Sequence, residues 1–108
     1  MSYLTKTQML ASLTTLIANY NLKFVDEEMT ATRYDLGSDP KALFEDCDSV
    51  EIFYLIIFTP KGKNLGNITF ISEYSETEQQ AVFEIQDHSD NKVIAEIVRD
   101  LFETEQEF

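Results

Sequence analysis

The stretch Val50 to Thr59, V-E-I-F-Y-L-I-I-F-T, is the most hydrophobic run in the chain and the feature that most limits its fold. Extended, it presents Val50, Ile52, Tyr54, Ile56 and Phe58 on one face and Glu51, Phe53, Leu55, Ile57 and Thr59 on the other, so beyond its first residues both faces are apolar. Such a segment needs cover on both sides or a central place in a sheet. β-Branched and aromatic residues dominate it and Pro60 closes it, which favours a strand over a short buried helix.

The rest of the chain supplies neighbours for that strand. Thr5 to Tyr20 places Met9, Leu10, Leu13, Leu16, Ile17 and Tyr20 at the three-and-four spacing of one helical face. Thr5 as N-cap with Gln8 three residues on matches a capping box, Leu4 and Met9 are spaced for a hydrophobic staple, and Asn19 and Asn21 suit a left-handed helix exit. Leu22 to Val25 and Met29 to Leu36 read as short strands around a turn at Asp26-Glu27-Glu28. Gly37-Ser38-Asp39-Pro40 then announces a short helix, Pro40 to Asp46, with Leu43, Phe44 and Cys47 inward.

Downstream, Pro60 to Asn64 is a turn by composition, and Lys61-Gly62-Lys63 within it is a solvated hairpin tip without the spaced glycines of a phosphate-binding loop. Gly66 to Tyr74 and Gln80 to Asp87 read as two further strands of an antiparallel meander, with Ala81, Phe83 and Ile85 facing the core and Val82 on the wetter side. His88-Ser89-Asp90-Asn91 caps a last helix, roughly Asn91 to Glu105, whose apolar stripe is Val93, Ile94, Ile97, Val98, Leu101 and Phe102. The predicted class is α+β: an antiparallel sheet of three to five strands packed by N-terminal and C-terminal helices, in the order α-β-β-(short α)-β-β-β-α. Residues 1–108 are expected to form a single domain. Within it Val50 to Thr59 is an interior strand paired with Gly66 to Tyr74, and Met29 to Leu36 is the candidate for its second neighbour.

Charge narrows the function classes. Twenty Asp plus Glu against 8 Lys plus Arg give a formal net charge of −12. A general basic surface for nucleic acid is therefore not expected, and an anionic membrane surface is disfavoured for the same reason. A basic protein surface would be attracted, fastest at low salt. The single cysteine, Cys47, excludes an intramolecular disulfide and a cysteine-rich zinc site, and fits a reducing cytoplasm. The N-terminus shows no secretory signal and no run is long enough to span a bilayer, so the chain reads as a cytoplasmic protein complete from its initiator Met.

No catalytic, cofactor or metal motif emerges. Glu51 is the one carboxylate placed where an apolar setting would raise its pKa, but the wet end of a strand explains it better. Asp87, His88 and Asp90 have metal-ligating side chains, yet a helix-capping turn needs the same residues, and an EF-hand loop starting at Asp87 fails at Lys92 and Val98. Cys47 lies between Asp46 and Asp48, which disfavour a thiolate, so a structural role is expected. The expectation is no enzyme activity, no cofactor and no metal.

What remains is a line of like charge. Glu96, Asp100, Glu103 and Glu107 recur every three or four residues on the last helix, with neighbours about 5–6 Å apart. Glu73, Glu76 and Glu78 add charge at and after the end of the second strand of the meander, as do Asp26, Glu27 and Glu28 in the earlier turn, while Lys92 and Arg99 interrupt the field. The expected function is a small acidic binding protein that inhibits a basic, nucleic-acid-binding partner such as a nuclease or CRISPR effector. In size and charge, though in no motif, the chain resembles the small acidic inhibitors of phages and mobile elements, including anti-restriction and anti-CRISPR proteins, some of them DNA mimics, and toxin immunity proteins. The alternative is a homo-oligomeric adaptor, a homodimer for instance, using an apolar surface such as Val82 with Tyr74.

Overall fold

The chain turns into its first helix at a fully formed capping box: Thr5 Oγ1 accepts from the Gln8 amide at 3.3 Å, and Gln8 Oε1 accepts from the Thr5 amide at 2.9 Å. The computed structural model describes residues 2–88, 91–101 and 106–107 and, at 2, 87, 88, 101, 106 and 107, the backbone alone. Its elements are β1 (Ser2–Tyr3), α1 (Lys6–Asn19), β2 (Asn21–Asp26), β3 (Ala31–Tyr34), α2 (Pro40–Asp48), β4 (Ile52–Phe58), β5 (Asn64–Ser75), β6 (Gln80–His88), α3 (Lys92–Leu101) and β7 (Gln106–Glu107). This is the α+β order expected from the sequence, with a two-residue strand added near each end.

β2 to β6 form one antiparallel sheet of five strands in the order β3-β2-β4-β5-β6. β4 is its middle strand, as its doubly apolar character requires. Its second neighbour is β2, not the segment Met29 to Leu36. Leu22-Lys23-Phe24-Val25 alternates around two large apolar side chains that β4 and the helices bury, whereas Ala31-Thr32-Arg33-Tyr34 has little to bury and takes the edge. The β2–β3 turn is held by Asp26, whose Oδ1 accepts from the amides of Glu28 and Thr30, with Met29 left-handed at φ 65°.

All three helices pack on one face of the sheet. Leu22 and Phe24, Phe53, Leu55 and Ile57, Ile68 and Phe70, and Phe83 point into it, against Met9, Leu13, Leu16 and Ile17 of α1, Leu43 and Cys47 of α2, and Ile94 and Ile97 of α3. Phe53 is the hub: its ring stacks on Phe70 with centroids 5.0 Å apart, lies 5.5 Å from Phe24 and meets Phe83 edge-on at 6.4 Å. α2 begins at Asp39, whose side chain accepts from the Lys41 amide, and it runs to Asp48, two residues beyond the expected end.

Three expectations are corrected. α1 leaves through Tyr20 in an extended conformation, not through a left-handed Asn; Asn21 instead ties the sheet end, donating to the Thr59 carbonyl at 3.1 Å and accepting from the Leu36 amide at 2.7 Å. Val82 is buried at 3 % exposure although it lies opposite Phe83, because the N-terminal segment runs along β6 and flanks it: Leu4 and Phe83 exchange two backbone hydrogen bonds of 2.7 and 2.8 Å. α3 is described from Lys92 to Leu101, its expected continuation to Glu105 lies outside the described residues, and Gln106–Glu107 pairs as β7 with β1. At its start His88 still belongs to β6, and Asn91 Oδ1 accepts from the Val93 amide at 2.8 Å as the cap. Ser89 and Asp90 of the expected cap lie outside the described residues, as do Phe102, Glu103 and Glu105.

Candidate interaction surfaces

The acidic line on the last helix is shorter than its spacing suggested. Glu96 and Asp100 lie exposed on α3, one turn apart, and Arg99 Nε sits 3.3 Å from Asp100 Oδ1. Glu103 lies outside the described residues, and Glu107 is in β7 opposite Ser2, so its backbone is not helical and the four do not form one helical row. The signal that misled was periodicity alone, which does not mark where a helix stops.

A denser acidic region forms at one end of the sheet. The antiparallel order brings the β2–β3 turn, the start of β4, the end of β5 and the β5–β6 turn to the same end. Asp26, Glu27 and Glu28 share a shallow depression with Glu51, and Glu51 shares a second with Glu73 and Tyr74. Glu76 and Glu78 follow in the next turn, where Glu78 Oε2 accepts from the Tyr3 hydroxyl at 2.9 Å. Sequence-distant carboxylates thus become neighbours of one rim. Lys6 meets Asp48 at 3.3 Å beside it, while Lys61 and Lys63 occupy the β4–β5 turn at the opposite end. Tyr74 stands 68 % exposed at this rim and Met29 72 % exposed in the β2–β3 turn, two large side chains of the kind that anchor protein contacts.

Two of the residues weighed for chemistry, Glu51 and Cys47, are described with their side chains. Glu51 is exposed, so the apolar setting that acid catalysis requires is absent there. The Cys47 thiol is buried in the core, and burial first, then Asp46 and Asp48, pushes its pKa well up, which opposes nucleophilic use. Tyr34 donates to Asp46 and to the Ala42 carbonyl; desolvation and then that carboxylate raise its phenol far above the ordinary range. This contact fastens β3 to α2. Of the suggested metal ligands, Asp90 and the side chains of Asp87 and His88 lie outside the described residues, and among the described residues no three His, Cys, Asp or Glu side chains converge to hold an ion.

The second surface is the face of the sheet opposite the helices. Alternation puts Lys23 and Val25 of β2, Ile52, Tyr54, Ile56 and Phe58 of β4, Thr69 and Ile71 of β5, and Val82 and Glu84 of β6 on it. None of the apolar members joins the helix-covered core. Most are half-buried by their neighbours in the sheet alone, and Val25, Met29, Tyr54, Ile56 and Asn67 line a shallow, mostly apolar depression. The sequence pointed to this face through the doubly apolar β4. The suggested pairing of Val82 with Tyr74 does not occur: Val82 lies opposite Glu73 and Tyr74 opposite Ala81, so they belong to different faces.

Among the described residues no helix is long and apolar enough to cross a membrane. No family model, curated protein or solved structure matches the chain.

Proposed function

We propose that the chain is a small acidic binding protein without catalytic activity that inhibits a basic partner by occupying the surface that partner offers to nucleic acid. The observation that supports this is the acidic rim, where Asp26, Glu27, Glu28, Glu51 and Glu73 come together from three separate stretches of sequence around two adjoining depressions. Carboxylates gathered in this way reinforce one another's potential and steer a cationic partner toward one end of the molecule. Tyr74 beside the rim supplies the apolar anchor that a purely electrostatic contact lacks. The partner class is a basic nucleic-acid enzyme, a nuclease or CRISPR effector, of the sort that phage and mobile-element inhibitors or toxin immunity proteins engage.

The test uses the purified chain as bait for basic nucleases at low salt, followed by measured association rates and competition with nucleic acid. Triple reversal at the rim, Glu27→Lys, Glu51→Lys and Glu73→Lys, should slow association about tenfold or more. Glu96→Lys with Asp100→Lys asks the same of α3. Binding that is indifferent to both sets of reversals and to salt would sink the proposal.

A further inference from the structure

The helix-free face carries a charge pattern that differs from the rest of this acidic chain. Its described charged side chains on the strands are two bases and two acids, and they occupy opposite corners. Lys23 and Arg33 are paired across β2 and β3 at the level of Ile56. Glu84 lies on β6 at the level of Ile52, and Glu73 one step beyond it on β5. Tyr54, on the middle strand and midway between Ile52 and Ile56, is close to the centre of the diagonal joining the two corners. Between the corners the face is apolar, through Val25, Ile52, Tyr54, Ile56 and Ile71.

We infer that this face docks a second copy of the same chain, forming a symmetric face-to-face dimer about a twofold axis that passes Tyr54. A surface with opposite charges at opposite corners is complementary to itself when turned over about the other diagonal. The basic corner of each copy then covers the acidic corner of its mate, and the apolar centres meet. The strands of the two sheets cross at about 90°, one of the two preferred angles for packed sheets. The acidic rims of the two copies cross at the same angle and approach one another only at the β2–β3 turns, which lie near the axis.

The size of the face fits this occupant. Five strands about 4.8 Å apart and some six residues long present a plane of roughly 500 Å² before side-chain relief is counted. With its charged corners included, that plane falls short of the ~800 Å² per partner of a standard interface, and side-chain relief brings it toward that value. Asp35, 3.5 Å from the Arg33 guanidinium, is as exposed as Arg33, and so weak a pairing yields to a carboxylate of the mate.

Sedimentation equilibrium tests the inference with two charge-swapped chains, Lys23→Glu with Arg33→Glu and Glu73→Lys with Glu84→Lys, plus Tyr54→Arg at the axis. All alter partly or fully exposed positions, and circular dichroism verifies that each folds. The unaltered chain is expected at twice its 12.5 kDa mass at micromolar concentration. Each swapped chain alone and Tyr54→Arg should be monomers, and an equimolar mixture of the two swapped chains should recover the dimer, because both corner contacts are then opposite in charge. A monomeric unaltered chain would overturn the inference. So would dimers that persist in both swapped chains, or a Tyr54→Arg chain that loses a different protein partner while the unaltered chain remains monomeric.

Discussion

Phe53 offers the sharpest test of how the fold is held. It is fully buried near the start of the middle strand and touches aromatic rings from β2, β5 and β6. Truncation to Ala removes the ring from a core that helices close on the far side, so the site cannot collapse freely and the expected loss is about 3–5 kcal/mol. For a domain whose whole stability lies at about 5–15 kcal/mol, that consumes a large share. With a urea slope of about 2 kcal/mol/M the midpoint falls by about 2 M. The stacking on Phe70 is separable: a double-mutant cycle with Phe53→Leu and Phe70→Leu should return a coupling of about 0.5–1.5 kcal/mol. Phe58, on the same strand but half-buried on the opposite face, should cost only about 1–2 kcal/mol on truncation to Ala. Equal losses at Phe53 and Phe58, measured by urea unfolding of the same preparation, would refute the assignment of the core to one face.

Three further outcomes follow from local geometry. Thr5→Ala opens the capping box and should lower stability by about 1 kcal/mol, read from the thermal midpoint. Met29 is left-handed and 72 % exposed, so Met29→Asn should leave the core untouched and raise stability by about 0.5–1 kcal/mol in urea unfolding. Folding raises the pKa of both the Cys47 thiol and the Tyr34 phenol, so the folded chain holds these protons more tightly than the unfolded one. Their contribution is complete below the unfolded values, about 8.5 and about 10, and is lost as pH rises through them, so unfolding free energy should decline on the alkaline side. Tyr34→Phe should flatten the upper part of that decline in a pH series of urea melts.

Much of the architecture is legible in the residues. The Thr5–Gln8 box, the Asp39-Pro40 helix start and the doubly apolar β4 are local signals with local causes, and each stands where expected. What failed depended on non-local pairing. Which of two short strands lies beside β4 is decided by how much each has to bury, and Leu22 with Phe24 outweighs Ala31 with Arg33, a comparison the sequence did contain. Val82 is buried because a segment almost eighty residues earlier lies beside it, and no window along β6 carries that information. The rim carboxylates were visible only as scattered acids, since their convergence is a product of strand order. The diagonal placement of Lys23 and Arg33 against Glu73 and Glu84 likewise exists only once register is known.

The bond pair between Leu4 and Phe83 has a kinetic corollary. Residues this far apart in sequence close a long loop, and loop closure weighs on rate more than on stability. During synthesis the N-terminal segment emerges first yet waits for β6 before its backbone finds a partner, so the outer edge of the sheet is sealed late. Until then β6 would present an open row of amides and carbonyls, the usual template for pairing between chains. Concentrated refolding should therefore be most error-prone in the interval before Leu4 docks, and Leu4→Pro, which deletes one of the two bonds, should prolong it.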